Sequence, residues 1–124
     1  DKLALVQLGP ADGAKYPSEL SGGMRKRVAI ARALVVEPQL ILYDEPTSEL
    51  DPLVSLTIGR EIVNLNQRTG ATSVVVTHHR DLAFGIADRL AFLAEGRILA
   101  LGTPEEIRAN PAPLLKEFLA AEFK

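Results

Sequence analysis

Apolar positions along the chain fall into runs of two kinds. Leu40-Ile41-Leu42-Tyr43 and Val74-Val75-Val76 are short, continuous and rich in branched side chains, the pattern of parallel strands covered on both faces. Between them Val54, Ile58, Ile62 and Leu65 recur at helical spacing behind Asp51-Pro52, an aspartate placed to cap and a proline at the first helical position. This helix is expected to end near Gly70. Strand, helix and strand in that order predict a right-handed parallel unit. Upstream, Leu3, Leu5, Val6 and Leu8 predict a short helix that runs into a turn-rich approach marked by Gly9, Pro10, Gly13 and Pro17. A second helix is predicted from Ser21, its N-cap, to about Val36. Downstream, residues 82–87 predict a short helix, and residues 90–94 and 97–101 flank Glu95-Gly96 as an antiparallel hairpin. Thr103-Pro104-Glu105-Glu106 combines an N-cap, a proline and a capping-box glutamate. From Leu114 onward, Leu115, Phe118, Leu119 and Phe123 predict an amphipathic helix that docks its apolar side on the body. The fold class is therefore α/β, with parallel strands and flanking helices followed by an antiparallel hairpin and C-terminal helices.

Composition narrows the class. A chain of 124 residues, 47% hydrophobic and 24% charged, suits one soluble globular domain with a modest core and excludes a disordered one. The net charge of −2 provides no basic field to hold a nucleic acid or an anionic membrane, so a partner must be recognised locally. The longest purely apolar stretches, such as residues 33–36 and 90–94, fall far short of the ~20 residues of a membrane helix. The absence of cysteine excludes disulfides and Cys-ligated zinc and is compatible with the cytosol. Asp1 stands where a methionine would start a complete chain, and no signal-like segment follows it; a cut inside a longer chain is the expectation.

Candidate chemistry gathers at four places. Leu20-Ser21-Gly22-Gly23-Met24 opens a predicted helix, where two glycines let a ligand approach the backbone and first-turn N–H groups attract an anion such as phosphate. An ordinary serine-capped helix with a flexible entry fits the same residues. Arg25, Lys26, Arg27 and Arg32 read as a solvated face or as partners of nearby acids. Asp44-Glu45 stands at the carboxyl end of the first strand, where open parallel sheets place their ligands. A strand end turning into Pro46 can leave Asp44 near a metal while Glu45 faces a reacting water; an acidic turn is the plain alternative. Ser48-Glu49-Leu50-Asp51 reads as a helix cap. His78-His79 follows the second strand on the same edge, either as satisfied polar residues or as a weak metal site. Without a third ligand at metal spacing, zinc is not expected.

Taken in order, Leu20-Ser21-Gly22-Gly23-Met24, the strand ending at Asp44 with Glu45, Ser48-Glu49-Leu50-Asp51 and Thr77-His78 resemble the signature, Walker B, D-loop and switch-histidine motifs of ATP-binding cassette (ABC) transporter ATPases. The resemblance covers nearly the whole chain. It implies a partial P-loop NTPase fold, with residues 1–38 in the helical signature subdomain and residues 39–124 forming the C-terminal half of the ATPase core. It implies ATP and Mg²⁺ as cofactors. Ser21, Gly22, Gly23 and Met24 would meet the ATP of the opposite subunit, Asp44 would hold Mg²⁺, and Glu45 would orient or deprotonate the attacking water. His78 would contact the γ-phosphate, while Ser48 and Asp51 would couple the two sites. Such work is positioning and charge stabilisation. The implied partners are a second ATPase subunit, in a homodimer, and membrane-spanning permease subunits, with no nucleic acid. The implied location is peripheral, on the cytoplasmic face of the bacterial inner membrane.

The departures are as informative. No Gly-x-x-x-x-Gly-Lys-Ser/Thr loop and no glutamine-containing loop before the signature occurs in the 124 residues, so the chain resembles the second half of a nucleotide-binding domain, without the phosphate-loop strand. It is expected not to hydrolyse ATP alone, to expose an apolar edge and face of the second strand, and in consequence to self-associate, to swap segments, or to be a chain that has lost part of its sequence. Glu49 replaces the small residue usual in the D-loop, and His79 the usual acid after the switch histidine. Met24, Tyr43, residues 83–89 and residues 102–107 look like the Mla-type ATPases of phospholipid trafficking and organic-solvent resistance, with glycine-betaine importer ATPases second. Chromosome-maintenance and DNA-repair ATPases share part of the motif logic, but the chain has neither heptads nor a basic stripe.

Overall fold

The computed structural model describes residues 2–121, so Phe123 of the expected tail helix lies outside the described residues. The chain divides into two compact units, one up to His78 and one from His79 onward.

In the first unit, helix α1 (Lys2–Leu5) leads through two single 3₁₀ turns to helix α2 (Gly22–Leu34), strand β1 (Leu40–Asp44), helix α3 (Pro52–Thr69) and strand β2 (Thr72–Val76). β1 and β2 pair in parallel, with Leu40 opposite Thr72 and Asp44 opposite Val76. That register aligns the carboxyl ends of both strands. α3 is bounded as its sequence requires: the Asp51 carboxylate accepts from the Val54 N–H at 3.0 Å, and Gly70 closes the helix at φ 69°, a left-handed turn that glycine adopts without a side-chain clash. Val6, Ile30, Leu34, Ile41, Ile58 and Leu65 are buried in this unit.

Two expectations need correction here. α2 stops at Leu34 rather than near Val36; Val35 and Val36 are exposed, and Glu37, in left-handed backbone at φ 50°, leads into Pro38, which disfavours helical backbone before it. The strands are not covered on both faces. Ile41 and Tyr43 are buried, whereas Leu40, Leu42, Val74 and Val76 are 48–72% exposed. A continuous apolar run makes both faces of a strand suitable for burial, but the pleat sends alternate residues to opposite sides, and only one side is covered among the described residues. The expected exposure of apolar side chains on the second strand is present.

The second unit holds helix α4 (Arg80–Ile86), strands β3 (Leu90–Ala94) and β4 (Arg97–Gly102), and helices α5 (Pro104–Ala109) and α6 (Pro113–Ala120). β3 and β4 form the expected antiparallel hairpin, with Ala94 opposite Arg97. Its two turn residues, Glu95 and Gly96, lie at φ 52° and 73°, the double left-handed conformation whose twist matches that of paired strands. Thr103 and Glu106 make a reciprocal capping box: the Glu106 N–H donates to Thr103 Oγ1 at 3.3 Å, and the Thr103 N–H donates to Glu106 Oε2 at 2.8 Å. A side chain at Gly102 would run into the Glu106 carboxylate. Ala100, Ile107 and Leu115 form the core of this unit with Phe84, Phe92 and Leu119 against them, and Leu115 anchors the apolar side of α6 at 1% exposure.

Candidate functional site

Ser21 takes the cap position that its sequence context predicts. Its backbone is extended, its Oγ accepts from the Met24 N–H at 3.2 Å, and its carbonyl accepts from the Arg25 N–H at 2.9 Å. The N–H groups of Gly22 and Gly23 belong to the first turn, where a helix has no internal acceptors to offer. The glycines also solve a packing problem that the sequence did not disclose. A Cβ on Gly22 would lie 3.2 Å from Leu50 Cδ2, and one on Gly23 would lie 2.9 Å from Val54 Cγ1. The start of α2 therefore presses against the turn that starts α3 most tightly at Gly23, while at Gly22 the end of the Leu50 side chain would have to give by a few tenths of an ångström. An open groove of about 300 Å³ runs between them, lined by Ser21, Gly22, Gly23, Glu49 and Asp51 among others.

Two side-chain links reinforce this approach. Lys26 Nζ donates to Ser48 Oγ at 2.9 Å. Arg27 Nε donates to both carboxylate oxygens of Glu61, at 2.9 and 3.0 Å, with Nη2 2.8 Å from Oε1. Glu61 is 4% exposed, and sequence reading missed it. Its signal was an acid placed three residues after Ile58 and four before Leu65, on the apolar stripe of α3. Of the four basic residues read as a solvated face or as partners of nearby acids, Arg27 is such a partner, half-buried against Glu61.

From Glu45 to Asp51 the backbone folds tightly. The Ser48 N–H donates to the Glu45 carbonyl at 3.1 Å, and the Leu50 N–H to the Thr47 carbonyl at 3.3 Å. Glu49 sits exposed at φ 63°, a left-handed conformation that costs a non-glycine residue on the order of 1 kcal/mol or more. Asp51 is a cap, as the plain reading of its tetrapeptide expects.

Asp44 ends β1 with an exposed side chain. Glu45 follows in left-handed backbone at φ 45°, while its N–H still donates to the Val76 carbonyl at 2.8 Å. Its carboxylate thereby reaches the second residue past β2: the His78 N–H donates to Glu45 Oε1 at 3.0 Å, and His78 Nδ1 lies 2.8 Å from the same oxygen. An ionised carboxylate can only accept, so the Nδ1 position carries the proton in this contact. The hydrogen bond from the His78 ring is the main reason that the Glu45 carboxyl is held below its ordinary range; burial opposes it, and the His78 charge, its N–H and the Thr77 side chain add to the lowering. The His78 ring is 83% exposed.

His79 has a different task. Its Nδ1 accepts from the Leu82 N–H at 3.1 Å and so caps α4, the position an acid would fill by the same chemistry. Among the described residues, no three His, Cys, Asp or Glu side chains come together as a metal cage. Asp44 nevertheless suits Mg²⁺, which takes oxygen ligands, keeps much of its water and is commonly held by one or two carboxylates together with substrate phosphates. No helix among the described residues is long and apolar enough to cross a membrane.

Residues 2–48 match the family model for ABC transporters. Over 121 residues, 97% of this chain, the sequence is 44% identical to the glycine betaine/carnitine/choline transport ATP-binding protein OpuCA of Bacillus subtilis, of which it covers 32%. Among solved structures, the ADP conformation of an ATP-binding cassette of an ABC transporter aligns with a TM-score of 0.83 and 27% identity, over 98% of this chain and 48% of that one. A dimeric, post-hydrolysis cassette bound to ADP and Pi aligns with a TM-score of 0.70 and 36% identity, over 83% and 44% respectively. The chain thus spans about a third of the curated relative and about half of each solved cassette. In motif order, fold and these likenesses the chain is similar to part of an ABC transporter ATP-binding domain.

Proposed function

We propose that this chain supplies the signature, Walker B and switch-histidine portion of an ATPase that drives membrane transport, and that it does not hydrolyse ATP by itself. The observation that carries the reading is the pairing of Glu45 with His78 at the aligned carboxyl ends of β1 and β2, beside Asp44. In this reading Asp44 contributes an oxygen ligand to Mg²⁺, whose chemistry is to neutralise charge on the phosphates. Glu45, ionised and turned by its left-handed backbone, orients or deprotonates the attacking water. His78 holds that carboxylate through Nδ1 and presents its exposed ring to the γ-phosphate. The first-turn amides behind Ser21, with Gly22, Gly23 and Met24, face the nucleotide of a second subunit, and Ser48 and Asp51 form the coupling turn against that partner.

The same reading assigns residues 1–38 to the helical signature subdomain and residues 39–124 to the core. It places the working protein as a homodimer beneath permease subunits, at the cytoplasmic face of a bacterial inner membrane. The dimeric cassette among the solved structures supports the homodimer. For the cargo, the wording of residues 83–89 and 102–107 favours phospholipid trafficking, while the likeness to a betaine, carnitine and choline transport protein favours a quaternary amine.

The first test is Mg²⁺-ATP hydrolysis by the purified 124-residue chain, with its intact mass verified on the same sample. Absence of turnover is expected, because no phosphate-cradling loop occurs in the sequence. Turnover that disappears with Glu45→Gln would show that another segment of this chain grips the phosphates and would overturn the assignment.

A further inference from the structure

The seam between α2 and α3 holds one buried ion pair. Gly23 meets Val54 near the start of both helices. Further along the same seam, Arg27, four residues after Gly23, meets Glu61, seven residues after Val54. Glu61 is the single acid in α3 and lies among the buried side chains of Ile58, Ile62 and Leu65. α2 offers other cations, but Lys26 is engaged with Ser48, and Arg25 and Arg32 are exposed.

A close helix approach floored by glycine has little of its own to stop one helix from shifting along the other. A buried carboxylate changes that, since leaving it without a partner is strongly unfavourable, and a planar guanidinium holds it in a fixed geometry through more than one N–H. The observed register satisfies both the close Gly23–Val54 contact and the bond of Arg27 Nε to Oε1 and Oε2 of Glu61.

We propose that Arg27 is a positioning residue: its ion pair with Glu61 sets the register of the Ser21–Met24 turn against the Ser48–Val54 segment. In consequence the phosphate-facing turn and the partner-facing turn move as one body. This functional meaning rests on the proposed roles of the two turns, whereas the register is a property of the chain alone.

The physics of buried pairs separates positioning from simple stabilisation. Replacing both members by apolar residues of similar size is often neutral or stabilising, whereas a register-setting pair predicts that the geometry loosens even when stability is kept. The test compares the 124-residue chain with the paired variant Arg27→Met/Glu61→Leu and with Arg27→Lys, by thermal unfolding and by residue-resolved amide hydrogen exchange. The paired variant is expected to unfold at or above the wild-type temperature. Its Met24 and Val54 amides, bonded to Ser21 Oγ and Asp51 Oδ1, are expected to exchange about tenfold faster, with mid-helix amides unchanged. Arg27→Lys keeps the charge without the fork and is expected to accelerate the same two amides several-fold. Wild-type exchange at Met24 and Val54 in either variant overturns the proposal; if the paired variant fails to fold, Arg27→Lys decides alone.

The working protein gives a second readout. In a complete ATP-binding domain carrying this segment, Arg27→Lys is expected to lower kcat about tenfold with KM within about twofold, the mark of misplacement rather than lost affinity. Faster exchange together with an unchanged kcat would overturn the phosphate-facing reading of these turns while confirming the register.

Discussion

Glu45 Oε1 is shared by two donors from a single residue, the backbone N–H and the Nδ1 position of His78, at 3.0 and 2.8 Å. The pair spans 33 residues of sequence and exists because β1 and β2 end in register, Asp44 opposite Val76. A carboxylate held twice by one neighbour is fixed in orientation and kept ionised, which is what a group that aligns water requires.

In the complete ATP-binding protein, Glu45→Gln is expected to preserve nucleotide binding and to lower turnover on the order of 10²-fold or more. Glutamine keeps an oxygen that can accept from the His78 N–H but cannot take a proton from water. Parallel measurements of nucleotide affinity and steady-state hydrolysis check this; unchanged turnover removes Glu45 from the reaction.

The Glu45–His78 contact carries a pH signature of defined sign. The folded-state pKa of Glu45 is lowered, chiefly by the hydrogen bond from His78, so its contribution to stability is present above the unfolded value of about 4.3 and is lost as pH falls through the lowered folded value. Carboxyl-carbon NMR on the 124-residue chain should find the Glu45 midpoint below the ordinary glutamate range. In His78→Ala the midpoint should move back up toward the ordinary range. An unmoved midpoint would mean that His78 does not hold the carboxylate in solution.

Gly23→Ala tests whether the second signature glycine serves packing as well as ligand approach. Its Cβ would meet Val54 Cγ1 at 2.9 Å, and a valine side chain has little rotamer freedom with which to withdraw. The expected loss is about 1–3 kcal/mol from overpacking, reduced by up to about 1 kcal/mol from the better helix propensity of alanine. Denaturant unfolding in the wild-type and Val54→Ala backgrounds decides the matter. The substitution should cost less where Val54 is truncated; equal costs would show that the approach of α2 to α3 is looser than described.

The exposed sheet face predicts behaviour in solution. Leu40, Leu42, Val74 and Val76 lie 48–72% exposed on adjacent strands, an apolar surface that soluble proteins usually cover. The isolated chain is expected to self-associate, and Leu42→Lys with Val76→Lys is expected to shift it toward a 13.4 kDa monomer by sedimentation. A monodisperse wild-type monomer with cooperative unfolding would contradict this.

Much of the architecture was legible in one dimension because local chemistry decides it. Asp51, Thr103 and Gly70 start or end helices through bonds and dihedral angles confined to a few residues, and Glu95-Gly96 makes its turn for the same reason. Periodicity placed the strands, but it could not say which face would be covered, since Leu42 and Ile41 are equally apolar and differ only in the side of the pleat they occupy. The order of motifs along the chain, from Ser21 through Asp44, Glu45 and Asp51 to His78, was likewise written in the sequence and carried the resemblance to ABC transporter ATPases.

The tertiary structure decided the pairings. His78 and His79 are adjacent and chemically identical, yet one donates to Glu45 and the other caps α4, a difference set by where each ring falls once the strands have paired. Gly22 and Gly23 gained a packing role from the approach of Leu50 and Val54, and Glu61 found Arg27 across a helix seam 34 residues away in sequence. Caps and turns close within a few residues, so sequence alone determines them. Contacts between distant segments depend on strand register and helix approach, which follow from packing the whole unit.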